Sequence, residues 1–349
     1  MRLELEPRVL PSRAATIAVS LGSVALGLVA GAIVLAFAGV NPIEAYTAML
    51  RTSIFGGAYA VSDTLVKATP LILCGLGCAV AFRARLWNVG AEGQLLLGAW
   101  AATGVASFWL PASTPPVLML CAMALAAALA GALWAGIAGY LKARLSVNEV
   151  ITTLMLVYVA QRFLAYFIFG VWSEGGFPLT PVFPRAAWLP RFPGLSLHVG
   201  IVVALVACGV VWLAMSRSIW GFEIRLLGDS PKAARYTGLP VARRIVLTLL
   251  VAGALAGLAG MLEVSGVGHR LQDRFSPGYG FIAIAVAWLG RLHPVGVLAA
   301  ALFFAALLVG AKEVQPAGIA QMLQGAVMLC AVAFDFFARH RVRLSRGGP

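Results

Sequence analysis

Three hydrogen-bonding side chains, Asn88, Glu92 and Gln94, are separated by Gly90 and Gly93 in the run Asn88-Val89-Gly90-Ala91-Glu92-Gly93-Gln94, which is flanked by apolar sequence. In an apolar medium such a cluster either converges on a polar ligand or satisfies the backbone where a helix is broken. A second run, Asn148-Glu149-Val150-Ile151-Thr152-Thr153, begins with a residue suited to cap a helix and an acid favoured in the first turn. Asn148, Glu149, Thr152 and Thr153 join Asn88, Glu92 and Gln94 as candidates to line an interior path, with capping as the other role open to Asn148.

Five ionisable residues fall within apolar stretches: Asp63, Lys67, Arg162, Glu263 and Asp335. Each costs about 2.5–3.5 kcal/mol at the centre of a membrane helix on insertion scales. Asp63 and Lys67 are four residues apart and are expected to offset one another on one helix face. Glu263 and Asp335 are expected at span ends, where reaching the interface is cheap. A proton relay needs acids deep in the membrane on facing helices, and no convincing chain of them is visible. That weighs against the alternative reading, a gradient-driven secondary transporter of a small polar solute.

Catalytic motifs are missing. There is no G-x-x-x-x-G-K-[ST], and no Gly is followed by Lys anywhere, so a phosphate-cradling loop is not encoded. Neither H-E-x-x-H nor G-x-S-x-G occurs. The four histidines, His198, His269, His293 and His340, stand at predicted span ends, and the five cysteines lie in apolar stretches as packing residues. The expectation is a chain that is not an enzyme and binds no cofactor or metal. If ATP powers it, a partner ATPase must bind the nucleotide.

The polar island Gly228-Asp229-Ser230-Pro231-Lys232-Ala233-Ala234-Arg235-Tyr236-Thr237-Gly238-Leu239-Pro240 reads as a short helix with both ends specified. Asp229 and Ser230 can accept from its first amides, Pro231 suits the first helical position, and Gly238 with Pro240 forms the stop. So short a helix is marginal alone in water and needs a support on each side.

These groups must be positioned by a membrane bundle. Of 349 residues, 61% are hydrophobic and 11% charged, with mean hydropathy +0.93, whereas soluble domains carry about 25% charged residues. The fold class is all-α, a polytopic helical bundle. A net charge of +13 is explained by basic cytoplasmic loops and not by nucleic acid, since no basic run is interleaved with aromatics. Apolar runs of about 20 residues place spans near 17–38, 61–82, 90–110, 117–141, 149–171, 199–215, 245–263, 278–290, 294–311 and 317–338. The eighth and ninth are short enough to form a broken pair, leaving about eight to ten spans. The first run is too long for a signal-peptide core of about 7–15 residues and reads as a retained span.

Loop charge orients the bundle. Among the 26 Lys and Arg, Lys67 and Arg162 lie within spans, and six (Arg51, Arg185, Arg191, Arg270, Arg274 and Lys312) fall on one side. The other eighteen fall on the opposite side, which places both termini and the most basic loop in the cytoplasm. The predicted organisation is a tail over 1–16, a transmembrane domain over 17–338 and a basic tail over 339–349. Within the domain, 216–244 is a cytoplasmic loop, and 172–198, dense in Pro and aromatics, is an external interfacial cap. The glycine-rich turns at 88–94 and 275–280 (Phe275-Ser276-Pro277-Gly278-Tyr279-Gly280) occupy matching places in segments of opposite orientation, the arrangement of an inverted repeat meeting near a central path. Gly253, Ala256, Gly257 and Gly260 give the seventh span a small-residue face for close helix packing.

Four ordered runs carry a family resemblance: Leu86-Trp87-Asn88-Val89-Gly90-Ala91-Glu92-Gly93-Gln94 with Phe82-Arg83 before it, Asn148-Glu149-Val150-Ile151-Thr152-Thr153-Leu154-Met155, the 228–238 stretch, and Gly278-Tyr279-Gly280-Phe281-Ile282-Ala283-Ile284-Ala285-Val286-Ala287. From about residue 60 to 340 the sequence resembles permease subunits of bacterial ABC importers for nucleosides and simple sugars, the branch served by basic-membrane-protein-type lipoprotein receptors within the branched-chain amino acid/ribose-type permease superfamily. The resemblance implies an inner-membrane subunit that pairs with a second permease, identical or paralogous, with cytoplasmic ABC ATPases and with an external substrate-binding lipoprotein. By that similarity Asp229, Ser230, Pro231, Lys232, Ala233, Ala234, Arg235, Tyr236 and Gly238 form the element that seats in the ATPase. One departure is noted: the nucleoside branch often carries Asn after the Met-Leu pair of the fifth span, where this chain has Val157.

Overall fold

The computed structural model describes residues 2–7, 13–313, 322, 325, 326, 329, 330, 333 and 340–345. The helices, in chain order, are α1 (Arg13–Phe37), α2 (Pro42–Leu50), α3 (Ala58–Arg83), α4 (Ala91–Gly104), α5 (Pro116–Leu145), α6 (Glu149–Tyr166), α7 (Gly200–Arg217), α8 (Ile219–Asp229), α9 (Pro231–Tyr236), α10 (Val241–Glu263), α11 (Tyr279–Leu289) and α12 (Pro294–Gly310). Wide helical turns extend α4 over Val105–Trp109, α6 over Phe167–Val171 and α10 over Val264–Gly268. Five segments are long and apolar enough to cross a membrane: Ala58–Arg83, Pro116–Leu145, Glu149–Val171, Gly200–Arg217 and Val241–Gly268. Shorter apolar helices accompany them at Val24–Phe37, Tyr279–Leu289 and Pro294–Gly310. The protein is a multi-pass membrane helical protein. The span expected over 317–338, with Asp335, falls largely on residues outside those described.

Two short strands depart from an all-α reading. Arg2–Pro7 (β1) pairs antiparallel with His340–Ser345 (β2), in a register that sets Glu4 opposite Arg343 and Glu6 opposite Arg341. Both segments alternate apolar and charged residues, the period-two pattern of a strand.

The chain divides into two compact units, 1–60 with 306–349 and 61–305. In the first, Asn41 caps α2 by accepting from Ile43 N at 3.1 Å, and Tyr46 OH donates to the Leu28 carbonyl at 2.6 Å.

In the second, α10 is the central helix, packed on α5 and α4. Its small-residue face is what permits the approach. A Cβ on Gly253 would collide with the Gly131 carbonyl, one on Gly257 with the Ala127 carbonyl, and one on Gly260 with the Leu95 carbonyl. Without side chains between them the backbones touch directly, which is how helices associate where no hydrophobic drive operates. The cap over 172–198 is tied to the end of α10 and the chain after it: Leu189 N donates to Ser265 O at 3.2 Å, Phe183 N to His269 O at 2.8 Å and Thr180 N to Leu271 O at 2.9 Å. Trp172 and Phe183 are buried, while Phe177 and Phe192 remain exposed.

Candidate functional site

The amides of Asn88 and Gln94 are fully reciprocated. Asn88 Nδ2 donates to Gln94 Oε1 at 3.0 Å, Gln94 Nε2 donates to Asn88 Oδ1 at 2.8 Å, and the same Oδ1 accepts from Gly90 N at 3.2 Å. Both side chains are buried. They satisfy the broken backbone ahead of α4, the second of the two roles open to such a cluster in an apolar medium. The turn leans on α6, where Val89 N donates to Thr153 Oγ1 at 3.3 Å and a Cβ on Gly93 would stand 3.0 Å from Val157 Cα. Val157 is buried in that helix contact, so the position where an amide was expected serves packing.

The second run separates into distinct tasks. Asn148 caps α6, accepting from Val150 N at 2.9 Å. Glu149 is ion-paired with Lys142 at 2.8 Å. Thr152 donates to the Asn148 carbonyl at 2.9 Å, and Thr153 to the Glu149 carbonyl at 2.7 Å. Thr153 alone of these joins the 88–94 turn.

Glu92 does more. Its Oε2 accepts from Gly280 N at 2.7 Å, so a carboxylate at the start of α4 sits on the first turn of α11. Gly278, at φ +92°, caps α11 in the left-handed region that glycine tolerates. Ser276 Oγ accepts from Gly278 N at 3.2 Å and Tyr279 N at 3.3 Å. A Cβ on Gly280 would collide with the Glu92 backbone. The two glycine-interrupted turns therefore meet, start to start, and the Glu92 charge lies at the positive end of α11.

A second buried cluster was not legible as such. Lys67 on α3 donates to Glu263 Oε1 at 2.9 Å, Tyr279 OH on α11 donates to the same oxygen at 3.1 Å, and the Lys67 ammonium lies 5.6 Å from the Tyr279 ring centroid. Two expectations are corrected here. Asp63 does not offset Lys67; it accepts from Ser196. Glu263 ends α10 as expected but does not turn its side chain outward; it is buried. A cation takes the partner that itself most needs neutralising, and a buried carboxylate outweighs one that a hydroxyl already serves.

On the cap side, His198 stands just ahead of α7, at a span end as expected, and is 1% exposed. Its Nδ1 accepts from Gly200 N at 3.1 Å. Burial, with the nearby Arg191, His269 and Lys67 charges, pushes its pKa down to about 4. His269 stacks on Trp188 at 3.8 Å between centroids, and its Nε2 meets Arg191 at 2.8 Å. Burial and Arg191 lower its pKa as well.

The 228–240 stretch folds nearly as read. Ser230 caps α9, accepting from Ala233 N at 3.2 Å, Pro231 opens it, and Gly238 follows it at φ +77°. Asp229 instead closes the preceding helix, α8, a helix the loop assignment for 216–244 omitted. Gly228 is pressed against the Arg83 carbonyl at the end of α3, where a Cβ would collide. That contact is the support on one side. On the other, Ala234 is buried, Ala233 is half-buried, and Pro231, Lys232, Arg235 and Tyr236 are exposed, Tyr236 at 92%.

A family model described as "Branched-chain amino acid transport system / permease component" matches residues 60–332. The chain belongs to this family. The permease is 39% identical over 344 residues to a glucose ABC transporter permease protein of Haloferax volcanii, covering 93% of this chain and 89% of the relative. It is 39% identical over 300 residues to the guanosine ABC transporter permease protein NupP of Bacillus subtilis, covering 84% and 85%. To the nucleoside ABC transporter permease protein NupB of Lactococcus lactis subsp. cremoris it is 33% identical over 318 residues, covering 86% and 85%. The matched range of this permease contains the meeting of α4 and α11, the Lys67 cluster and α9. Proteins of this kind are permease components of ABC transporters and not catalytic subunits.

Proposed function

We propose that this chain forms the translocation path of an ATP-binding-cassette importer for a nucleoside or simple sugar. The observation that carries the reading is the meeting of α4 and α11 at Glu92 and Gly280, which gives two helix starts and buried polar groups inside an apolar bundle of the permease family. Relatives named for guanosine, nucleosides and glucose support that solute class.

In this reading the protein lies in the bacterial inner membrane with about ten spans. Both termini and α9 face the cytoplasm, residues 172–198 face outward, and 88–94 and 275–280 are counterparts in an inverted repeat. The partners are an ATPase that binds ATP, a second permease and an external lipoprotein receptor. ATPase closure pushes α9, the push passes through the flanking α8 and α10 and, by way of α8, to α7, those spans tilt, and the path opens toward the receptor. Tyr236, almost wholly exposed on a capped helix, is the side chain offered to that partner.

The test is uptake by proteoliposomes containing the permease with its ATPase, second permease and receptor. ATP-dependent accumulation of guanosine or glucose is expected. Accumulation by this chain alone on an imposed ion gradient would sink the reading.

A further inference from the structure

Glu263 is 5% exposed, and its two oxygens are used unequally. Oε1 accepts from both Lys67 and Tyr279, whereas the buried Oε2 has no hydrogen-bond partner among the described residues. An ionised carboxylate offers about four acceptor sites, and leaving a buried polar group unsatisfied costs roughly 1–3 kcal/mol, more when it is charged. Oxygens left over in ion pairs are normally bonded to a neighbouring amide or hydroxyl, and Glu263 Oε2 has neither among the described residues. Lys67 is equally incomplete. Its ammonium has three protons, Glu263 takes one, and the side chain is 22% exposed, so the cluster is approached from the lysine side, with Oε2 itself covered.

We infer that Lys67, Glu263 and Tyr279 form a solute-recognition station for a vicinal diol, one hydroxyl donating to Glu263 Oε2 and the adjacent hydroxyl oxygen accepting from Lys67 Nζ. The inference rests on the permease reading and names the part of the solute that the path recognises.

Charge favours a neutral ligand. Lys67 and Glu263 cancel, so a net ion entering the station would have to displace one partner and leave the other buried and unpaired, which is strongly unfavourable. A neutral group that brings a donor and an acceptor side by side completes both residues without breaking their bond. Adjacent hydroxyls do this, since each is both donor and acceptor. Ribose and hexose rings share that grouping, so one station serves either solute. Tyr279 is fully buried with its hydroxyl on Oε1. Its role is to hold the carboxylate in place, and Oε2 is left for the ligand. The station draws on α3, α10 and α11, so occupancy would bind three helices together.

The experiment uses source cells deleted for the native copy, complemented with wild type or variant, so that every partner is present. Uptake of labelled guanosine, 2′,3′-dideoxyguanosine and glucose is read at saturating solute and normalised to permease in the membrane. Wild type is expected to move guanosine at least tenfold faster than the dideoxy analogue, and Glu263→Gln to bring guanosine down to the analogue's rate. Because Glu263→Gln leaves the Lys67 charge unpaired and could unsettle the fold, a second variant, Lys67→Met with Glu263→Met, replaces the pair by apolar side chains of similar volume. It is expected to reach wild-type membrane levels and to lose uptake of both guanosine and glucose at least tenfold. Wild-type uptake by the double variant, or an unchanged guanosine preference in Glu263→Gln, overturns the station while leaving the permease reading intact. No uptake of guanosine or glucose above the deletion strain by wild type overturns the solute reading and the station together.

Discussion

Gly280 N donates to Glu92 Oε2 at 2.7 Å across 188 positions of sequence, and the two backbones are so close that no side chain fits between them. This contact joins the starts of α4 and α11. Gly280→Ala must push the helices apart, and overpacking of this kind costs about 1–3 kcal/mol. A lower unfolding temperature in detergent, together with reduced uptake, is expected. An unchanged melting curve would show that the helices meet elsewhere.

Gly257 and Gly209 make a matched pair of helical glycines. A Cβ on Gly257 would strike the Ala127 carbonyl, whereas one on Gly209 meets nothing within 4 Å. Gly257→Ala should destabilise by about 1–3 kcal/mol. Gly209→Ala, which only removes glycine's entropic penalty, should be neutral or stabilise by up to about 1 kcal/mol. Thermal unfolding of both variants in the same detergent checks the contrast, and equal effects would count against the backbone contact between α5 and α10.

His198 predicts a pH dependence. Burial, assisted by Arg191, His269 and Lys67, lowers its folded pKa to about 4 from an ordinary 6.5. The neutral imidazole that accepts from Gly200 N therefore stabilises the fold fully above pH 6.5. That contribution is lost progressively as pH falls from 6.5 through 4, where the folded protein takes up the proton. His198→Asn should flatten part of the fall in melting temperature over that range. If wild type and variant fall in parallel, the buried imidazole does not titrate as described.

Tyr236→Asp tests the coupling role of α9. The side chain is 92% exposed, so membrane insertion and stability should change by less than about 0.5 kcal/mol. Uptake should fall at least tenfold while the ATPase subunits continue to hydrolyse ATP. Ala233→Asp, on a half-buried position of the same helix, should uncouple similarly. Transport at normal ATP stoichiometry in both variants would remove α9 from the coupling role.

Local features were readable without coordinates. The cap at Ser230, the proline at 231 and the positive-φ glycine at 238 are demands of a single helix, met by residues within a few positions. The small-residue face of α10 was readable for a similar reason, because only glycine and alanine at that spacing let two helix backbones touch. The β1–β2 pairing is not legible in the sequence, because two short alternating segments at opposite ends of a chain give a weak signal beside long apolar runs.

The sequence alone determined the membrane bundle, the short capped helix, the close-packed face of α10 and the family, since each follows from composition, periodicity or ordered motifs. It could not assign partners to the buried charges. Lys67 has Asp63 one turn away, yet the structure gives it Glu263, 196 positions on. Asn88 and Gln94 look open along the chain and are closed upon each other in space. In a low-dielectric interior, pairing goes to whichever group is brought near and left most in need of it, and only the packing of α3, α10 and α11 decides that.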